Sequence, residues 1–155
     1  MSVSPGGVPK HAVPVGTLTV SGLEGDSHGH PDIHGGPKQA VLLITSEGIE
    51  ELAEHGFPLT YGSLGENLTT RGIDRGEWRV GQRWRIGTEA VIEITKRRAP
   101  CQTLSAYGPG IQAAIFDAHA GAGDPSSPKW GLSGFYASVI QPGAIRPGDE
   151  IILAP

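Results

Sequence analysis

Glycine and proline interrupt this chain so often that we expect only short helices and strands. The 155 residues include 24 glycines and 13 prolines. Glycine readily adopts turn conformations, and proline lacks the backbone donor that a helix or sheet needs. The composition is otherwise that of a globular protein, with 37% hydrophobic and 18% charged residues. We therefore predict a fold of many short elements, which argues against a helix bundle.

Several short segments have the patterns of β-strands. Residues 13–20 alternate apolar and other residues, which suits a strand with one buried face. Residues 39–44 are apolar from residue 40 onward, which predicts burial on both faces. Residues 82–87 and 89–96 alternate and are joined by a short glycine-containing connection, which predicts a β-hairpin. We further predict a short strand between turns within 61–74, and strands at 134–140 and 149–154 separated by a turn.

Two segments have the spacing of amphipathic helices. Residues 46–56 place apolar side chains on one face, with Ser46 as a candidate N-cap and Gly56 as the stop. Residues 110–121 repeat the pattern. Six or more strands with so few helices predict a predominantly β fold, a small closed or partly open β-barrel with two or three short helices. We expect residues 1–155 to form one domain.

The charge and the apolar pattern exclude several classes of partner. A formal net charge of -4 gives no electrostatic reason to expect binding to nucleic acid or to an acidic membrane surface. No stretch approaches the roughly 20 apolar residues that span a bilayer, and the first residues lack the pattern of a secretory signal. A single cysteine also fits a reducing compartment. We therefore expect a cytoplasmic protein.

The segment KRRAPCQTL, residues 96–104, contains the only cysteine, Cys101. A thiolate is the nucleophile and the metal ligand, and nearby positive charge lowers the pKa of a thiol. Arg97 and Arg98 supply such charge, and a guanidinium also holds an anion in a planar fork. The alternative is that Cys101 is a small buried hydrophobic residue at a strand end.

A loop before residue 39 is rich in histidine. His28, His30 and His34 lie within seven residues of one another, together with Asp26 and Asp32. Such a cluster could bind a metal or transfer a proton. The spacing matches no strong zinc pattern, so a solvated loop without a ligand is the alternative.

Two glycine motifs could bring backbone donors close to an anion. The first contains Gly35 and Gly36, and the second contains Gly65 followed by Glu66 and Asn67. The alternatives are that Glu66 is a solvated charge and that Asn67 binds its own backbone.

Taken in order, these motifs resemble the MOSC family, the domain named for the molybdenum cofactor sulfurase C-terminus. Each motif is weak alone, but together they extend over almost the whole chain. The matching segments are SPGGVPK at the start, GLEGD-x-H (22–28), IHGGP (33–37), GENL (65–68), VGQRWRIG (80–87), RAPC (98–101), GLSGFYASVIQPG and RPGDEI. Ser27 departs from the arginine often found in similar proteins.

The resemblance implies a barrel-like domain with one functional cysteine, carried onto Cys101. Family members are thought to bind the molybdenum cofactor (molybdopterin), or to carry sulfur as a cysteine persulfide. The sulfur comes from a pyridoxal-phosphate-dependent cysteine desulfurase and passes to the metal centre of a molybdoenzyme. Some related proteins reduce N-hydroxylated compounds with electrons from a partner. No pyridoxal phosphate site is identified in this chain, and one cysteine could not hold a four-cysteine iron–sulfur cluster.

These inferences assign roles to eleven residues. Cys101 would be the persulfide carrier or molybdenum ligand, His28 or His34 would transfer a proton, and Asp26 would fix the histidine tautomer. Cofactor binding falls to Gly35, Gly36, Gly65, Glu66, Asn67, Arg97 and Arg98. Two alternatives stay open: a binding module that never turns over, and a hydrolase in which Cys101 is the nucleophile and a loop histidine the base.

Overall fold

A six-stranded sheet dominates the computed structural model, which describes residues 1–27 and 35–155. The strands of these residues are β1 (Ser2–Val3), β2 (His11–Ala12), β3 (Gly16–Thr19), β4 (Gly22–Leu23), β5 (Val41–Thr45), β6 (Leu68–Thr70), β7 (Arg83–Ile86), β8 (Ala90–Arg97), β9 (Phe135–Gln141), β10 (Gly143–Ile145) and β11 (Ile151–Leu153). The α-helices are α1 (Ser46–Glu54), α2 (Ile111–Ile115) and α3 (Ala118–Ala122). Short 3-10 helices occupy Pro37–Gln39, Arg75–Glu77 and Gln102–Tyr107.

The large sheet has the strand order β11-β7-β8-β9-β5-β6 and is antiparallel except for the β5–β6 pair. Strands β10, β3 and β4 form a second sheet, and β1 pairs with β2. The pairing of β8 with β9 shifts register between Val91 and Ile92 and again between Ile94 and Lys96. Such irregularities bend a sheet. The fold is mostly β, with a curled half-barrel sheet and a few short helices, as the sequence predicts.

Two hydrophobic clusters fill the space on either side of β5. All five residues of β5 are buried, which confirms the predicted burial on both faces. Val41 and Leu43 belong to a cluster between the sheets, where the rings of Trp78 and Trp84 stack 5.1 Å apart. Ile44 belongs to a second cluster, formed with α1, α2 and the 3-10 helix Gln102–Tyr107.

The predicted hairpin is confirmed, because β7 and β8 pair antiparallel from Arg83–Glu93 to Ile86–Ala90. The helix after β5 is also confirmed, but its N-cap is Thr45 and not Ser46. The Thr45 hydroxyl accepts a hydrogen bond from the Gly48 amide at 3.2 Å. The helix can start this early because β5 runs directly into it.

Two local predictions are wrong. The helix expected over 110–121 is broken into α2 and α3, because Phe116 and Asp117 are extended and the Asp117 side chain accepts from the Ala120 amide at 2.7 Å, capping α3. The turn expected after β9 contains β10, which pairs with β3. In the described part of the chain, no helix is long and apolar enough to cross a membrane.

Candidate functional site

Cys101 lies just beyond the end of β8. The amide of Arg98 donates to the carbonyl of Gly134 at 2.9 Å, so the chain keeps its contact with the start of β9 for one residue past the strand. Cys101 is extended and immediately precedes the 3-10 helix Gln102–Tyr107. Its side chain is half-buried and packs against the second hydrophobic cluster. The thiol is thus held by packing on one side while part of it stays accessible.

The surroundings of Cys101 lower the pKa of its thiol. Burial acts to raise this pKa, but the Thr103 hydroxyl, the Arg98 charge and the backbone N–H groups of Thr103 and Leu104 together outweigh burial. The Thr103 hydroxyl contacts the sulfur directly. The lowered pKa raises the fraction of thiolate, which is the reactive form.

Arg98 is a buried cation with unused donors. Its side chain is 5% exposed, and Nη2 lies 4.0 Å from Sγ of Cys101. Within residues 1–27 and 35–155, Nε and Nη1 have no hydrogen-bond partner. Buried arginine donors are rarely left unsatisfied, since the lost hydration is costly. The unpaired donors leave the positive charge of Arg98 available to an anionic group in the cleft that Arg98 lines.

Cys101 and Arg98 open onto one cleft with a cavity volume of about 140 Å³. Its walls combine apolar side chains with a few polar groups. The lining residues are Gly7, Val8, Lys10, Ser27, Gln39, Leu42, Leu64, Gly65, Asn67, Arg98, Cys101, Thr103 and Tyr136. An apolar cleft with a few converging polar groups is the usual form of a small-molecule site.

A polar network forms one wall of the cleft. The ammonium of Lys10 lies 2.5 Å from Oδ2 of Asp26, and burial lowers the pKa of Lys10 although Asp26 opposes that shift. Asp26 also accepts from the Ser4 amide at 2.9 Å and from Asn67 Nδ2 at 2.8 Å. The side-chain carbonyl of Asn67 accepts from the Leu42 amide at 3.1 Å. This network ties the N-terminal segment to the start of β5 and to the turn before β6.

Glu66 stands behind this wall and is fully buried. One carboxylate oxygen accepts from the Gly62 amide and from the Thr69 hydroxyl, while Oε2 has no partner among the described residues. Burial raises the pKa of Glu66, against the opposing effect of these hydrogen bonds and of Arg98. Glu66 is therefore not the solvated charge that was one reading of its motif.

The turn that carries Glu66 fits closely against the N-terminal segment. Gly62 has a φ of 92°, and a Cβ added there would lie 2.1 Å from the carbonyl oxygen of Lys10. A Cβ on Gly65 would lie 2.9 Å from the side chain of Val8. Glycine is required at Gly62 both for its backbone conformation and for this approach.

The structure brings together part of the predicted site. Cys101, Arg98, Gly65 and Asn67 line the cleft, and Asp26 adjoins it through Lys10 and Asn67. Asn67 binds Leu42, Ser2 and Asp26, and so does more than bond its own backbone.

Other predicted residues lie elsewhere. Arg97 covers the ring of Trp130 at 5.4 Å and donates to the carbonyl of Gly121, away from the lining. Gly36 precedes the 3-10 helix Pro37–Gln39, whose last residue lines the cleft, whereas Gly35 and Gly36 do not. The predictions for His28 and His34, and for the surrounding histidine cluster, lie outside the described residues.

Sequence reasoning missed Lys10 and Thr103. Lys10 ends the SPGGVPK motif, and Thr103 follows the cysteine by two positions, so both stood in segments already singled out. Lys10 reaches the site through a contact with Gly62 that is distant in sequence, whereas Thr103 contacts the nearby Cys101 only because the chain turns into a 3-10 helix there. In the part of the chain that is described, no three histidine, cysteine, aspartate or glutamate side chains group into a metal site.

A family model and two bacterial proteins match this chain. A family model described as MOSC domain matches residues 30–152. The uncharacterized protein YflK of Bacillus subtilis (strain 168) is 30% identical over 132 residues, which cover 84% of this chain and 55% of YflK. Protein YiiM of Escherichia coli (strain K12) is 34% identical over 92 residues, which cover 57% of this chain and 41% of YiiM.

A solved structure agrees with this relationship. The crystal structure of YiiM from Geobacillus stearothermophilus superposes with a TM-score of 0.70 at 26% identity, covering 95% of this chain and 64% of that one. The matched parts thus amount to about half the length of the curated relatives, 55% and 41%.

Proposed function

The chain belongs to the MOSC domain family, and from this premise we propose that Cys101 is a sulfur-carrying or molybdenum-binding thiolate. In the first form, Cys101 carries one sulfur atom as a persulfide. In the second, the same thiolate ligates the metal of the molybdenum cofactor. Both forms place an anionic or electron-rich sulfur at the same point in the cleft. A reducing compartment, the cytoplasm in our expectation, would keep Cys101 free for either role.

One observation carries this proposal. The buried Arg98 keeps two nitrogens without a partner in the described chain, and a third lies 4.0 Å from Sγ of Cys101. Charge-assisted hydrogen bonds from a guanidinium to an anion are stronger than neutral ones. Arg98 can therefore stabilise the Cys101 thiolate, a persulfide on it, or a charged group of a cofactor.

The residues of the cleft fit the molybdenum cofactor in their chemistry. Cys101 is a soft sulfur ligand of the kind that such metals accept, and Arg98 offers donors to an anionic group. Gly65, which also lines the cleft, would let a bound group approach the backbone. When bound, the cofactor would supply a redox-active metal. Reduction of an N-hydroxylated compound would also need an electron-transfer partner.

Sulfur loading needs only this chain and a donor. The Cys101 thiolate attacks the outer sulfur of a cysteine persulfide on the donor, for which we propose a cysteine desulfurase. A new bond forms between Sγ and that sulfur, the donor's sulfur–sulfur bond breaks, and the donor cysteine leaves as a thiolate. Thr103 and Arg98 favour the attacking thiolate. A molybdoenzyme metal centre is the proposed acceptor.

Intact-protein mass spectrometry under non-reducing, native conditions tests the proposal after anaerobic purification. The wild type should carry either one extra sulfur atom, lost on reduction, or a molybdopterin-sized adduct. Cys101→Ser should lose both, and Arg98→Gln should reduce the loaded fraction. Arg83→Gln is the control, because Arg83 is half-exposed and pairs with Glu93 on the sheet.

The outcomes separate the forms of the proposal. A sulfur adduct supports the carrier, and a cofactor adduct supports the molybdenum site. If the wild type stays bare after incubation with desulfurase, cysteine and cofactor, the proposal is wrong. If the wild type does carry an adduct, a multiple-turnover assay distinguishes an enzyme from a stoichiometric carrier.

A further inference from the structure

We infer that the cleft takes a small oxyanion of sulfur, of the sulfite class, which accepts the sulfur atom that Cys101 carries. This inference rests on the persulfide form of the proposed function. The inference adds to that proposal a small acceptor of the sulfur atom, which binds directly beside the thiol of Cys101. The reaction would release thiosulfate and return Cys101 to the thiolate.

The first support is the charge balance of the cleft. Two buried cations, Lys10 and Arg98, are among its lining residues. The charge of Lys10 is answered by Asp26 at 2.5 Å. Arg98 has no carboxylate within salt-bridge distance among the described residues, and Glu66, whose charge acts on it, is fully buried and is not part of the lining. Within the described part of the chain, Arg98 therefore lines the cleft without an ion-pair partner.

The second support is the shape of the donor group. A guanidinium presents its N–H groups in a plane, in positions that match two oxygens of one oxyanion. Nη1 shares one edge of the guanidinium with Nη2, which lies 4.0 Å from Sγ of Cys101, and Nη1 lacks a partner in the described chain although the side chain is only 5% exposed. The cavity volume of about 140 Å³ accommodates an ion of this size together with water.

The third support is the position of the thiol. Because Nη2 of Arg98 is 4.0 Å from Sγ of Cys101, an anion held by the same guanidinium lies next to any sulfur attached to Sγ. Sulfite carries a lone pair on its own sulfur, so it is a nucleophile as well as an anion. Holding a nucleophile in contact with its target replaces a bimolecular encounter with a local one.

The reaction balances without another reagent. The lone pair of the sulfite sulfur attacks the outer sulfur of the Cys101 persulfide, and a new sulfur–sulfur bond forms. The bond between Sγ and the outer sulfur breaks, and its electron pair stays on Sγ. Sulfite is oxidised to thiosulfate while the persulfide is reduced to thiolate, and a persulfide proton, if present, goes to water. Thr103 and Arg98 stabilise the leaving thiolate.

The first arm of the test measures the transfer. Cys101 is loaded with inorganic polysulfide, desalted, and its loaded fraction determined by mass. Sulfite is then added without oxygen, and the initial rate of thiosulfate release is divided by the loaded fraction. We expect saturation with sulfite and a fall of about tenfold or more in Arg98→Gln. Arg98→Lys should retain part of the rate, and Arg83→Gln should match the wild type.

The second arm measures anion binding without loading. Sulfate, which cannot accept sulfur, should slow the alkylation of Cys101 by neutral iodoacetamide, compared with chloride at equal ionic strength. The protection should disappear in Arg98→Gln. Sulfate should likewise compete with sulfite in the first arm. The wild type alone answers whether sulfate protects, so the test holds even if Arg98→Gln fails to fold.

The results separate this inference from the proposed function. If Cys101 loads but sulfite releases thiosulfate no faster from the wild type than from folded Arg98→Gln, the acceptor is wrong and the carrier stands. If Cys101 never loads but sulfate protects it through Arg98, the carrier and the acceptor step are wrong and the anion site stands. If sulfate gives no protection to the wild type, the anion site is overturned.

Discussion

The ammonium of Lys10 and the carboxylate of Asp26 lie 2.5 Å apart, with side chains only 6% and 4% exposed. The pair joins the N-terminal segment to the chain that follows β4. Asp26 also accepts from Ser4 and Asn67, so these four residues form one polar cluster at the wall of the cleft.

Asp26→Ala should destabilise the fold by about 3 to 5 kcal/mol, because it leaves a buried ammonium without its counter-charge. Chemical denaturation at neutral pH measures this free energy of unfolding. Glu93→Gln is the control, since its ion pair with Arg83 is much more exposed and should contribute about 1 kcal/mol or less. Equal losses of unfolding free energy in the two variants would show that the buried ion pair stabilises the fold no more than the exposed one.

A second prediction concerns the hydroxyl of Thr103. Thr103→Val removes the group that contacts Sγ of Cys101, so the pKa of Cys101 should rise. Alkylation depends on the thiolate, so the midpoint of its pH profile should move to higher pH in Thr103→Val. Thr103→Ser keeps the hydroxyl and should retain the wild-type midpoint. A midpoint unchanged by Val would mean that Arg98 and the backbone amides alone set the acidity of the thiol.

The elements that sequence predicted well have locally readable patterns. The hairpin of β7 and β8 alternates apolar and polar residues around a short connection, and β5 is continuously apolar. The break at Asp117 was missed because apolar spacing continues across it and capping depends on one side-chain contact. Strand β10 was missed because glycine and proline surround it, and its partner β3 is far away in sequence.

The site was predictable only where a motif carried it. Cys101 and Arg98 lie in one short segment, so their association was visible in sequence. Lys10 enters the site because its amide donates to the Gly62 carbonyl at 2.9 Å, a contact across more than fifty residues. Arg97, beside Arg98 in sequence, points instead to Trp130 because neighbours on a strand face opposite sides.

A third prediction follows from the buried carboxyl of Glu66. Burial raises the pKa of Glu66 in the folded state, so the folded protein holds this proton to higher pH than the unfolded chain does. Stability should therefore fall as pH rises from the ordinary glutamate pKa to the raised one, and stay lower above it. Glu66→Gln abolishes this loss. The stability of the variant relative to wild type should be more favourable at neutral pH than at about pH 4.

Glu47 provides a control of opposite sign. Burial acts to raise its pKa, but the amide of Gly72, the backbone amide of Glu47, the Ser46 hydroxyl and the charge of Arg71 lower it overall. Its contribution to stability is present above the ordinary glutamate pKa and is lost as pH falls through the lowered one. Glu47→Gln should therefore be less stable than wild type at neutral pH, with a smaller difference in acid. Denaturation across a pH series measures the free energy of unfolding of both variants. If the difference from wild type changed with pH in the same direction for both variants, the opposite pKa shifts of Glu66 and Glu47 would be contradicted.

The last prediction isolates the close approach at Gly62. Gly62 and Gly72 both have positive φ, 92° and 77°, but a Cβ at Gly62 would meet the Lys10 carbonyl at 2.1 Å whereas one at Gly72 meets nothing within 4 Å. Gly72→Ala should cost about 1 to 2 kcal/mol for the backbone conformation alone. Gly62→Ala should cost about 1 to 3 kcal/mol more, because the N-terminal segment must move away from the turn. Equilibrium unfolding of both variants measures the difference.

The same pair of variants tests the wall of the cleft. Since the N-terminal segment carries Val8 and Lys10 into the cleft, Gly62→Ala should also alter the rate of Cys101 alkylation, while Gly72→Ala should not. Equal unfolding free energies of the two variants would mean that the N-terminal segment moves away from Gly62 without cost. Its contact with the turn at Gly62 would then not fix the wall of the cleft.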